Sequence, residues 1–205
     1  MTLSAQLWSD NADVAAEVLA HPFVRFLADG SLPREVFAGY LAQDAFFLES
    51  FARAYALALA RSPDTATLLT LADLLTGVRQ ELGLHASYAA EWGIDMAGVE
   101  PLPATLAYTE FLLATAATQD LGVVFAAMTP CMRLYAWLGA SMDADAAGPY
   151  AQWVQTYADP EFEAIAVALE KLLDGQADTP AVRRAYRRAM QLELAFFEAA
   201  FVARG

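Results

Sequence analysis

Apolar residues recur at intervals of three and four along almost the whole chain, and no stretch sustains alternation of apolar and polar positions. A period near 3.6 residues belongs to an α-helix with one buried face, so the pattern predicts helices and no sheet. A first helix fits Ser4 to Leu19, with Leu7, Ala15, Val18 and Leu19 toward a core. The run HPFVRFLADGSLP predicts a short helical turn and a stop, marked by Gly30 and Pro33. A long helix follows from about Pro33 to Arg61, with proline in a first turn that does not need its N–H. Asp64 is placed to cap the next helix, which runs to about Trp92 and ends at Gly93. GIDMAGVEPLP reads as a loop. Further helices fit Pro103–Thr118, Leu121–Met142, Pro149–Tyr157, Pro160–Leu173 and Thr179–Ala203. Pro130 lies inside the second of these, which predicts a kink just before Cys131. No Ser/Gly linker and no repeat of fixed period divides the chain. The expected fold class is therefore all-α: one domain over residues 1–205, a bundle of about seven or eight helices.

Composition adds to this picture at three points. The chain is 58% apolar, with a mean hydropathy of +0.34, which is high for 205 residues that must enclose a single core. The surplus predicts that apolar surface is covered by further copies of the chain. It does not predict a membrane span, because Asp, Glu or Arg interrupts each apolar stretch before the roughly 20 residues a bilayer requires. The start MTLSAQLWSDNADV lacks a basic segment followed by an apolar one, and Cys131 is the single cysteine. Both point to a reducing, cytoplasmic setting rather than export. Twenty-five acidic residues against twelve basic give a net charge of −13, a field that repels phosphate backbones. The one basic cluster, Arg183, Arg184, Arg187 and Arg188, reads as a solvated face or a set of surface ion pairs. Nucleic acid is not an expected partner.

Candidate chemistry lies where polar groups are stranded among apolar ones. Asp44 shares its helix face with Leu41, Leu48, Phe51 and Tyr55, and a carboxylate there is costly to bury unpaired. Either it reaches a helix end or a basic residue such as Arg133, or it binds a substrate amine or ring nitrogen. Cys131 and Tyr135 are four apart and share a face. A lone cysteine is commonly a small hydrophobe, and a nucleophilic one needs a lowered pKa or a neighbouring base. Glu193 has Met190, Phe196 and Phe197 on its side, whereas Glu198 points elsewhere. It is either a surface acid on an imperfect stripe or a desolvated carboxyl suited to proton transfer. Tyr108 and Tyr157 fit a pocket wall or, as is commoner for a lone tyrosine, a core hydrogen bond. Glu81 and His85, at i and i+4, read as a hydrogen-bonded pair that orients neighbours, and His21 reads as structural. With two histidines the helical di-iron set cannot be assembled, and no zinc spacing, phosphate loop or Gly-x-Ser-x-Gly elbow occurs. No metal and no cofactor are expected.

These blocks, taken in order, resemble the TenA (thiaminase II) family. The likeness rests on LW, HPFV, the segment from YLAQD to FARAYALA, ELGLH, PATLAYT, PCMRLYAWLG, YADPEF and ELAFFEAA, and it covers essentially the whole chain. It implies a haem-oxygenase-like helical bundle, usually a homotetramer. The implied activity is hydrolysis of 4-amino-5-aminomethyl-2-methylpyrimidine to the hydroxymethyl compound in thiamin salvage, with thiamin itself cleaved by many members. The resemblance places the nucleophile on Cys131 and the acid/base glutamate on Glu193. It places substrate contacts on Asp44, Phe47, Tyr108, Tyr135, Tyr157 and Phe196. Haem binding through His21, or a regulatory role without hydrolysis, are the alternatives within the superfamily.

Overall fold

The computed structural model describes residues 1–94 and 98–203, so the middle of the loop expected at GIDMAGVEPLP lies outside the described residues. Ten α-helices and one 3-10 turn, without a strand, make up what is described. They are α1 (Leu3–Asp10), α2 (Ala12–Ala20), α3 (Pro22–Ala28), α4 (Arg34–Leu59), α5 (Thr65–Trp92), α6 (Pro103–Thr118), α7 (Leu121–Ala140), α8 (Ala151–Ala158), α9 (Pro160–Asp174) and α10 (Pro180–Val202). The turn, Gly148–Tyr150, leads into α8.

Local chemistry fixes most boundaries. The Asp64 carboxylate accepts from the Thr67 amide at 2.8 Å and opens α5, while Gly93 closes it in the left-handed region at φ +64°. Asp159 caps α9 and Thr179 caps α10 through side-chain oxygens, and prolines begin α3, α6, α9 and α10.

The single first helix expected over Ser4–Leu19 is instead two. Asn11 turns its amide back onto the Leu7 carbonyl at 2.7 Å and stops α1, and α2 starts beside it. Apolar spacing continues across this break, which is why periodicity joins the two. The HPF turn is a helix in its own right, with the Phe23 amide donating to His21 Nδ1 at 3.2 Å.

Helix α7 is the centre of the bundle and packs against α6, α8, α9 and α10 while touching α4. By length and hydropathy it could cross a membrane, but 78% of its apolar window is buried inside the protein, as in the core helix of a bundle. It runs through Pro130 to Ala140, and the missing N–H at Pro130 frees the Ala126 carbonyl one turn before Cys131.

Candidate active site

Six helices contribute to one cluster, buried except for the half-buried Glu81 and Cys131. Helix α4 carries Tyr40, Asp44 and Phe47 on its inner face, α5 carries Glu81 and His85, and α6 carries Tyr108. Helix α7 supplies Cys131 and Tyr135, α8 supplies Tyr157, and α10 supplies Glu193 and Phe196.

One half of the cluster is built on Glu193, which is only 2% exposed. The Tyr108 hydroxyl donates to its Oε1 at 2.7 Å, and the Cys131 thiol lies close enough for it and the carboxyl to act on each other's proton equilibria. The Tyr108 ring lies 4.7 Å from that of Phe47, which in turn meets Phe196 at 6.1 Å, so the acid and the thiol sit behind an aromatic wall.

The other half is built on Asp44. Its Oδ2 lies 2.7 Å from His85 Nε2, and His85 Nδ1 lies 2.8 Å from the Glu81 carbonyl. The Glu81 carboxylate accepts from the Tyr157 hydroxyl at 2.7 Å. Tyr157 packs at 4.8 Å on Tyr135, whose hydroxyl accepts from Tyr40 at 3.1 Å. Gly139 makes this contact possible: a Cβ there would fall 2.4 Å from the Tyr157 carbonyl carbon, so only glycine lets α8 come this close to α7. Glu81 and Met132 also line an open pocket of about 480 Å³ between α5, α8 and α9.

Two expectations need correction. Asp44 does not reach Arg133, which lies on the far side of α7. Two residues beyond Cys131 is about 200° round a helix, and Arg133 there binds Glu170 at 2.7 Å and Glu163 at 2.8 Å, tying α7 to α9. Glu81 and His85 do not pair side chain to side chain. The imidazole takes the backbone carbonyl of Glu81 and the carboxylate of Asp44, which frees the Glu81 carboxylate for Tyr157. The basic cluster on α10 does form surface pairs, Arg183 with Asp10 and Asp178, and Arg187 with Asp13.

Burial shapes the electrostatics. Loss of water, with the charge of Asp44 added, outweighs the Tyr108 bond and raises Glu193 from 4.5 to about 8. Burial and Asp44 raise Glu81 to about 7, against the pull of His85 and Tyr157. Burial, then the charges of Glu193, Glu81 and Asp44, push the Cys131 thiol well above its ordinary range. Burial alone would lower His85, but the bond to Asp44 and the charges of Asp44 and Glu81 raise it to about 9. At neutral pH the resting cluster thus holds a thiol, a protonated Glu193 and an imidazolium against Asp44. Since Asp44 acts on Cys131, Glu193, Tyr135 and Tyr157 alike, both halves share one electrostatic environment.

Three participants escape a reading of the sequence. Tyr40 links Tyr135 to Trp153, whose indole donates to it at 3.3 Å. Gln43 accepts from the Leu102 amide at 2.8 Å and the Thr105 hydroxyl at 2.6 Å, pinning the start of α6 to α4. Tyr40 stands one turn before Asp44 on the same stripe, a usable clue. Gln43 carries none beyond its place next to Asp44.

The fold and the cluster define a class: a helical bundle of haem-oxygenase-like architecture enclosing a small site of one thiol, three carboxyls and an aromatic wall. Residues 8–202 match the model of the TENA/THI-4/PQQC family, and the chain belongs to that family. It is similar to the bifunctional TH2 protein, mitochondrial, of Arabidopsis thaliana, with 36% identity over 208 residues. That match takes in 87% of this chain but 34% of the relative, so the chain spans about a third of that protein. An aminopyrimidine aminohydrolase of Halalkalibacterium halodurans is 31% identical over 185 residues, covering 86% of this chain and 83% of the relative. Among solved structures, a TenA family transcription regulator from Silicibacter sp. TM1040 superposes with a TM-score of 0.91 at 27% identity, over 97% of this chain and 96% of that one.

Proposed function

We propose that this protein is a thiaminase II-type hydrolase that replaces the exocyclic amine of 4-amino-5-aminomethyl-2-methylpyrimidine by water, and that thiamin, cut at the same carbon, is a second substrate. The observation that carries this reading is the buried Glu193 carboxyl, held by Tyr108 at 2.7 Å, with the Cys131 thiol and the Asp44 carboxylate both close enough to act on it. The names of the Halalkalibacterium and Arabidopsis relatives, an aminopyrimidine aminohydrolase and a TH2 protein, support it.

The chemistry follows from proton positions. Asp44 accepts from the amino group on the ring's N–C–NH₂ edge. Glu193, an acid at rest, gives its proton to a ring nitrogen from one carboxyl oxygen while the other accepts the proton of the Cys131 thiol. The sulfur then adds to the ring carbon next to that nitrogen, which interrupts the aromaticity. The electron pair released toward the exocyclic carbon expels the amine, which takes from Glu193 the proton that came from the thiol and leaves as ammonia. Water adds to the resulting methylene and gives its spare proton to Glu193, the C–S bond breaks, and Glu193 passes a proton to the sulfur and takes back the one on the ring nitrogen. Because Cys131 rests as a thiol, the carboxyl must act as a relay and not merely as a charge. The pocket beside Glu81 and Met132 offers substrate a way in.

The haem alternative loses its ligand, since both ring nitrogens of His21 are engaged, Nδ1 by the Phe23 amide and Nε2 by Glu198 at 2.7 Å. A net charge of −13 disfavours direct DNA binding as a regulator. The same reading sets the protein in the cytoplasm as a homotetramer. Exposed Leu57, Leu68, Leu69 and Leu106 on α4, α5 and α6 are candidates for the covered surface, and sedimentation showing only a 22.1 kDa species at micromolar concentration would remove the tetramer. Turnover of the aminomethyl pyrimidine and of thiamin by purified protein, with products identified by mass spectrometry, tests the activity. Absence of the hydroxymethyl product would refute it.

A further inference from the structure

His85 is 5% exposed and engaged through both ring nitrogens, yet the steps above give it no part. Its Nδ1 faces the Glu81 carbonyl at 2.8 Å, and a carbonyl only accepts, so Nδ1 carries a hydrogen. If the ring were neutral, Nε2 would be bare and would face Asp44 Oδ2 at 2.7 Å. Two lone pairs cannot sit there, so one proton lies between Nε2 and Oδ2, on one atom or the other. The surroundings favour the nitrogen. The charged groups that act on the ring are Asp44 from α4 and Glu81 from its own helix, both acids, and together they raise His85 to about 9. The neighbours across the small gap beside it are Leu41 from α4, Leu84 and Tyr88 from α5, and Trp153, Thr156 and Tyr157 from α8. None of these brings a positive charge. The bond to His85 uses Oδ2 of Asp44, and the other oxygen, Oδ1, accepts from no described residue.

We propose that His85 is a positioning residue for the reaction assigned above, on which this inference rests. Held on α5 as an imidazolium, it fixes the Asp44 carboxylate in one rotamer, so that Oδ1 is presented to the amino group of the pyrimidine. The need for it is electrostatic. Asp44 acts on both Glu81 and Glu193, and a cation placed against one of several neighbouring carboxyls singles that one out as the acceptor. With His85 on Asp44, the acceptor role falls to Asp44, while Glu193 keeps the proton it must deliver.

The chain has two histidines, which makes the ring state directly measurable. In ¹⁵N-labelled wild type, with His21→Asn used for assignment, both His85 ring nitrogens should be protonated at pH 7. A bare Nε2 at that pH would overturn the proposal, and this measurement stands even where His85 variants do not fold. Steady-state turnover of the aminomethyl pyrimidine by His85→Gln, Asp44→Asn and the double variant gives the second arm, with unfolding midpoints recorded alongside. Glutamine keeps a donor near Asp44 but loses the charge. KM should therefore rise about tenfold or more, the weight of one charge-assisted hydrogen bond, while kcat stays within about threefold. In the Asp44→Asn background, His85→Gln should raise KM no further. An unchanged KM in His85→Gln, or effects that simply add in the double variant, would overturn the proposal while leaving the hydrolase reading intact. A wild type inert toward every aminopyrimidine would withdraw both.

Discussion

Glu193 is folded as an acid but would be ionised in the unfolded chain, because burial and Asp44 raise it from 4.5 to about 8. A carboxyl raised on folding costs nothing below its unfolded pKa, and stability is lost progressively as pH climbs from that value through the folded one. The cost is close to zero at pH 4, about 3 kcal/mol at pH 7 and between about 4 and 5 kcal/mol at pH 9. Glutamine has the same shape and no charge to lose. Its amide oxygen can keep the Tyr108 bond, but its NH₂ meets the Cys131 sulfur where a carboxyl oxygen stood, a mismatch of about 1 kcal/mol. Glu193→Gln should therefore be more stable than the parent by about 2 kcal/mol at pH 7, or roughly 4–8 °C in midpoint for a chain of this size. The gain should vanish near pH 5, reverse by about 1 kcal/mol at pH 4 and widen toward pH 9, while turnover collapses because the amide delivers no proton. Urea or thermal unfolding of both proteins at pH 4, 7 and 9, beside an ammonia-release assay, measures both effects. A stability difference that does not change with pH, or a variant less stable than the parent at pH 9, would show that Glu193 is not held as a buried acid, and the relay would lose its proton source.

The remaining predictions use the same geometry. Cys131→Ser should keep the fold and product affinity by calorimetry while turnover falls by several orders of magnitude, since a hydroxyl is a far poorer nucleophile than a thiolate. In the parent, kcat/KM should decline above about pH 8 as Glu193 loses its proton, by about tenfold per pH unit once well past it; a rate that keeps rising to pH 10 would contradict this. Gly139→Ala has to push α8 off α7, because its methyl would meet the Tyr157 backbone at 2.4 Å. It should cost about 1–3 kcal/mol in denaturant unfolding and raise KM by displacing Tyr157.

The long helices were legible because their signals are local: Asp64 and Gly93 bound α5, and prolines open α6 and α9. The break at Asn11 was not, since a side chain turning back onto its own helix leaves the apolar period unchanged. Of the site, the stranded polar residues were visible one at a time, and the family likeness supplied the list that grouped them. Their partners were another matter. Asp44 meets His85 forty-one positions along the chain because α4 packs on α5, and periodicity within each helix does not encode the register between them. Arg133 was a reasonable partner by charge alone and a wrong one by angle, since its place on α7 aims it at α9.

The contrast between Arg133 and His85 explains how an acidic chain can hold two buried carboxyls, Asp44 and Glu193, and a half-buried one, Glu81, in one cluster. At the surface, where water screens charge, arginines meet acids directly: Arg183 with Asp178, Arg187 with Asp13, and half-buried Arg133 with Glu163 and Glu170. Inside, no arginine or lysine is recorded against Asp44, Glu81 or Glu193 among the described residues. Their neutralisation comes from an imidazole, from phenol hydroxyls and from bound protons. A guanidinium would have locked the acids as permanent anions with lowered pKa values, useful for holding helices together and useless for delivering a proton near pH 7. Protons and phenols leave Glu193 and Glu81 titrating at about 8 and about 7, within reach of the working range. A purely structural network would favour the arginine solution, which α7 does use thirty-seven positions from Glu170 on its other face. That the inner face avoids it is a physical argument for reading the cluster as a place where protons move.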